Sequence, residues 1–361
     1  MANRYWVGGG SSTNWDATGS TNWSATDGGS NNATVPTTGD DVFFKSSANC
    51  AINVNTADLN SLDMTGYSGS CSTSTFLKSI NIVPTGAGTT NCVLVNFSFS
   101  PTNLGRFYLK PPTGATINFY PPSDMGSGEL YITAAAGKVS LQGDYYATNF
   151  LFYVAGNSGA LNFESNGYSL NTMRFNFDTS VIDLTNSTIT CRSGQSTPWY
   201  CGGASGVNLT IDLTGTTLNL DSSISANQYL GNKTYNIINC SGRFTTVGSA
   251  TISELNLNNA GNATGLKVTS GSTLTVSTFT TNGYASNLSK IAATSAGTPF
   301  NIIKAGGGTI SEDYMSIQDC AASPANTWYA GTHSTNVSGN SGWVFSGIPR
   351  ARAPLPVYHR P

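Results

Sequence analysis

The sequence predicts an all-β chain wound as a single-stranded parallel β-helix, a solenoid with a tryptophan-rich N-terminal cap and an extended C-terminal arm. Three observations carry this. Residues 266–281, LKVTSGSTLTVSTFTT, alternate large apolar with small hydroxyl side chains around a Ser-Gly-Ser turn. That period of two belongs to a half-buried strand, and the helical period is absent. The same strand-turn-strand unit recurs as VIDLTNSTIT at 181–190 and TIDLTGTTLNL at 210–220. Units repeated with no helix between them are most simply stacked rung on rung. Finally, charged residues are only 9% of the chain while Gly numbers 40. Solubility must then come from hydroxyls and amides, the polar groups of β surfaces. Strand spacing alone also permits tandem antiparallel β-sandwiches, which stand as the alternative.

Composition excludes several classes. The 361 residues suffice for one long solenoid, and 39% apolar content with aromatics throughout separates the chain from disordered sequences. A net charge of −2 provides no basic face for nucleic acid. No apolar run approaches the ~20 residues of a membrane helix, so no membrane insertion is expected. The opening MANRYWVGGGSS lacks a signal-peptide core, and synthesis in a cytoplasm without export is the expectation. Seven cysteines, odd in number and with no CxxC pair, argue against zinc and read as small apolar fillers. A Cys191–Cys201 disulfide is the alternative reading of two of them.

Residues 1–45 form the expected cap. Trp6, Trp15 and Trp23 alternate with Gly/Asn/Ser turns and end in Asp40-Asp41 and Val42-Phe43-Phe44. A solenoid end exposes apolar rungs and unpaired strand edges, which stacked indoles would cover. The competing reading is a carbohydrate platform. Residues 46–320 form the solenoid, in roughly ten coils at intervals of roughly 20–30 residues. At ~4.8 Å per rung the stack would be on the order of 50 Å long. The insert at 192–206, RSGQSTPWYCGGASG, breaks the repeat with turn chemistry on both sides of Trp199 and Tyr200. These two aromatics at a loop tip are candidates for glycan contact. Residues 321–346 close the stack. The tail at 347–361, GIPRARAPLPVYHRP, combines prolines with Arg350, Arg352 and Arg360 and holds no acid. Proline at this density favours an extended arm. Arg350, Arg352 and Arg360 would fork onto carboxylates of a neighbour, with Leu355, Val357 and Tyr358 as apolar anchors, so these six residues are the candidate partner-binding set.

Both ends also carry a resemblance. The opening, WVGGGSSTNW followed by TNWSATDGGSNNATVPTTGDDVFF, resembles one found in phage virion proteins and in some bacterial surface solenoids. The ending at 313–345, with TWYAGTHST and NSGWVF, resembles a second recurring phage element. Together they are similar to phage structural proteins of the tail-fibre, spike or head-decoration kind. The middle of the chain resembles no specific family, so the resemblance carries over no functional residue.

Catalytic constellations are sparse. The two histidines, His333 and His359, have no GxSxG beside them. Carboxylate pairs could cleave a glycan if held ~5–9 Å apart. Asp183 and Asp212 occupy equivalent places in two IDLT units and would stack, but outward ladder positions commonly hold Asp without chemistry. The calcium-binding GGxGxD repeat is missing, and no phosphate loop or dinucleotide fingerprint occurs. The expectation is therefore a non-enzymatic virion structural protein with no cofactor and no metal site. Its expected partners are other virion proteins, further copies of itself in a homo-oligomer such as a trimer, and a host-surface glycan. The rivals are a tailspike-type glycan-degrading enzyme and a bacterial surface adhesin. A groove gathering two carboxylates with aromatics would favour the enzyme.

Overall fold

A computed structural model describes residues 1–75, 77–100, 105–147, 151–178, 180–192, 198–201, 209–260 and 265–346; at 134–135, 156–160, 222–226 and 243–244 it describes the backbone alone. Among the described residues there is no helix, and the strands stack as a parallel β-solenoid of about 11 turns. Alternation decides which way each side chain points. In Gly105–Leu109 and Ala115–Tyr120, Phe107, Leu109, Ile117 and Phe119 are buried while the residues between them face out. The antiparallel sandwich alternative falls on strand direction. Pairing between strands is parallel throughout the described ladder except where Asn3–Trp6 meets Trp23–Ser24.

The pairings resolve into three columns, one per face of the coil. The first runs from Asn3–Trp6 through Asp41–Phe44, Ser61–Asp63, Gly88–Val93 and Ala115–Tyr120 down to Val181–Asp183 and Thr210–Asp212. The second contains Cys50–Ile52, Cys71–Thr73 and, lower down, Leu170–Thr172 and Thr188–Cys191. The third begins at Asp58–Leu59 and descends to Thr335–Ser338. Long strands turn a corner and serve two columns. Gly128–Leu141 pairs with Gly105–Leu109 in the third column and with Ala115–Tyr120 in the first. Its corner residue is Gly137, at φ 100, where a Cβ would lie 2.5 Å from the Pro112 carbonyl oxygen. Only glycine takes that backbone in that space.

The interior is one continuous apolar core from Trp6 to Ala330. Phe152 lies 5.6 Å from Phe175, and Phe177 lies 5.4 Å from Trp199 (ring centroids). Tryptophans lie at both ends of it. At the start, Trp23 packs edge-on against Trp6 at 5.1 Å and Trp15 at 4.7 Å, with Phe44 below. Their indole N–H groups are satisfied: Trp6 donates to the Ala48 carbonyl and Trp23 to that of Trp15. At the far end Trp328 is buried between Phe279 and Trp343, at 5.8 and 5.1 Å.

Candidate binding face

Parallel in-register stacking converts sequence spacing into a ladder. On the outward side of the third column, Asn81, Tyr108, Tyr131, Tyr153, Asn176, Tyr200 and Tyr229 follow one another, rung upon rung. Tyr108 and Tyr131 are stacked at 5.0 Å with 19° between planes. Tyr153 turns out of that stack, at 69° to Tyr131, and Tyr200 tilts by 50° against Tyr229. Each ring is half-buried by its neighbours and half-exposed.

Charges flank the rings and fix them. Arg106 Nε donates to Glu129 Oε2 at 2.8 Å, and the Tyr131 hydroxyl donates to the same oxygen at 3.0 Å. The Arg106 guanidinium lies 5.8 Å from the Tyr131 ring, and the Lys110 ammonium 4.7 Å from that of Tyr108. Lys110 also donates to Asn81 Oδ1. Burial, then the charge of Glu129 and its hydrogen bond, push the Tyr131 phenol up to about 12. Burial, then the charge of Asp178 and the Tyr200 phenol, likewise raise Tyr153. Both phenols therefore stay protonated at neutral pH and act as donors. On the Asn176 rung, which interrupts the tyrosines, two polar atoms are unpaired: Arg174 Nε, a donor, and Asn176 Oδ1, an acceptor.

The predicted glycan contacts separate. Trp199 is a correction: it belongs to the strand Trp199–Cys201 and its side chain is fully buried. Its indole donates to the Tyr235 hydroxyl at 3.1 Å and its amide to Gln228 Oε1 at 2.9 Å. The strand register beside Phe175–Phe177 turns it inward, so it is a core residue rather than a loop tip. Tyr200, the next residue, faces out and is a rung of the ladder. The six tail residues Arg350, Arg352, Leu355, Val357, Tyr358 and Arg360 lie outside the described residues, as does His359. The ladder itself was not read from the sequence. Its signal was the recurrence of Tyr108, Tyr131 and Tyr153 at 23- and 22-residue spacing, close to the length of one coil.

The carboxylates are engaged in local structure. Asp183 and Asp212 stack in register, as the IDLT equivalence implied. Each accepts the backbone N–H two residues on, from Thr185 and Thr214, both at 2.9 Å. The Thr214 hydroxyl and N–H hold Asp212 below the usual carboxylate range, opposite to what a general acid requires. Beside Asp212 the first column parts, leaving a groove of about 580 Å³ between Thr210–Gly215 and Asn232–Asn236. Among the described residues that line it, Asp212 is the single carboxylate, whereas glycoside cleavage uses two. A second groove, about 370 Å³, does contain two, Asp41 and Asp63. Both are occupied: Asp41 accepts from Asn60 and Ser61 at 2.6 Å, and Asp63 from Lys45 at 3.1 Å and the Thr65 N–H at 2.8 Å. His333 Nδ1 lies 2.7 Å from Asp313 Oδ2, but the neighbouring Ser334 hydroxyl donates to the Ala330 carbonyl instead. The seven cysteines are free and buried, so the Cys191–Cys201 disulfide does not form. No family model, no curated protein and no solved structure matches the chain.

Proposed function

We propose that this protein is a non-enzymatic structural component of a phage particle, a β-solenoid displayed as a tail fibre, spike or capsid decoration. The observation that carries the scaffold reading is the continuous three-column stack with buried tryptophans at both of its ends, whose groove carboxylates are already spent on turns and neighbouring side chains. A rod of that kind presents faces and holds its shape. The phage assignment is supported by the resemblance of the two ends, and they are the parts that pack the tryptophan layers here. In this reading the partners are other virion proteins and further copies of the chain. The arm at 347–361 is the attachment segment, because prolines lower the entropy lost on ordering while its arginines seek acidic neighbours. The test is incorporation in a phage-producing host, comparing tagged full-length chain with a version ending at Phe345. Full-length chain should co-purify with particles, and the truncated one should fall at least about tenfold while melting at the same temperature. Particles devoid of full-length chain would overturn the virion reading, and equal incorporation of the truncated chain would overturn the role of the arm.

A further inference from the structure

We infer that the outward face of the third column is a carbohydrate-binding ladder that takes an extended neutral polysaccharide, centred on the rung of Arg174 and Asn176. This goes beyond the scaffold reading and does not rest on it. The first ground is the chemistry of the rungs. A sugar ring has apolar C–H faces and a rim of hydroxyls, and its complement is an aromatic ring beside fixed hydrogen-bonding groups. Tyr131, Tyr153, Tyr200 and Tyr229 offer rings and hydroxyls together, on rungs ~4.8 Å apart. Because Tyr153 stands at 69° to Tyr131, its ring leaves the stack instead of being sandwiched within it.

The second ground is the pair of unpaired atoms. Arg174 and Asn176 are two apart on one strand and so face the same side; Asn176 lies between Tyr153 above and Tyr200 below, and Arg174 is in register with Leu151. Arg174 Nε needs an acceptor and Asn176 Oδ1 needs a donor. A hydroxyl is both at once. Both atoms are buried in the free protein, although the side chains that carry them are partly exposed. Leaving them unpaired costs free energy that a bound hydroxyl would recover.

The third ground is what the face lacks for other occupants. Among the described residues, none of the large exposed apolar side chains (Met1, Leu77, Tyr168, Val181, Tyr284, Val337) belongs to the ladder, so the face has no exposed aliphatic patch. Charge is close to balanced as well, with Lys110 the one cation here held only by the Asn81 amide and the Tyr108 ring. Arg106 is neutralised by Glu129, and Arg174 shares its strand with Asp178. A neutral polymer suits that balance better than a polyanion. Glu129 and Arg106 already hold the Tyr131 ring in place, which lowers the entropy lost there on complex formation.

Affinity electrophoresis of the purified protein through gels containing dextran, galactomannan or xylan, with polygalacturonate as the acidic comparison, tests the inference. At least one neutral polymer should retard the protein. Tyr153→Ser and Asn176→Ala should each weaken that retardation about tenfold, while Tyr284→Ser, an exposed tyrosine elsewhere, should leave it unchanged. Asn176→Ala removes only an outward amide, and an unaltered melting curve will show that it folds. Migration unaffected by all three neutral polymers, or equal retardation of parent and Asn176→Ala, would overturn the inference. So would self-association of the parent that Tyr153→Ser abolishes, because the ladder would then belong to a second copy.

Discussion

Asp40 is 3% exposed, and its carboxylate accepts from the Ala2 N–H at 2.8 Å and from the Thr37 N–H and hydroxyl at 3.0 Å. Arg4 Nε lies 3.6 Å away. Burial alone would raise its pKa, but these hydrogen bonds and the Arg4 charge outweigh it and leave the group below its ordinary value. The folded state therefore favours the ionised form. The stability contributed is present above the unfolded pKa, near 4, and is lost as pH falls through the lowered folded value. Asp40→Ala should cost about 3 kcal/mol in denaturant unfolding at neutral pH, since three donors lose their acceptor. The gap between parent and variant should narrow at about pH 2.5; a gap independent of pH would count against this role. At this scale the sequence was partly legible. Leu274 and Val276 alternate with hydroxyls and are buried as that pattern requires. Trp199 was not, because the turn residues around it said loop, while the face it takes is set by pairing with Phe175–Phe177, more than twenty residues earlier.

Strands here are held as much by what lies across a rung as by what lies within it. Gly105 and Gly128 are register partners, and the Phe99 ring lies against both. A Cβ on Gly128 would fall 2.3 Å from Phe99 Cδ2, and one on Gly105 2.2 Å from Cδ1. The two glycines form one seat for one ring. Gly128→Ala should destabilise the fold by about 1–3 kcal/mol through overpacking, and adding Phe99→Leu should restore part of that loss. Simple additivity of the two losses in thermal melts would contradict the shared seat. Element types were legible from period-two alternation and from Gly, Asn and Pro at the turns. Partnership was not. Coil lengths are unequal, with Thr217 pairing Ile237 but Val181 pairing Thr210, so counting residues does not give the register. For the same reason the tyrosine ladder went unseen while its individual residues were in plain view.

At the scale of the molecule, three parallel columns around one core explain how a chain with 9% charged residues forms a defined structure. Apolar side chains fill the coil interior, hydroxyls and amides run along the outside, and amide ladders such as Asn219, Asn239 and Asn256 link successive coils at 2.8 Å. Tryptophans pack at each end of that core. The solenoid class could be anticipated from the repeated unit alone, and parallel pairing removed the sandwich alternative. The proposed role on a particle is supported by the resemblance of the two end elements and has its own direct measurement. Antibodies raised against the purified solenoid should be applied to intact phage particles and to the producing cells, with gold labelling viewed by electron microscopy. The account predicts gold at fixed positions on the particles; gold confined to the cell surface, with particles bare, would contradict it.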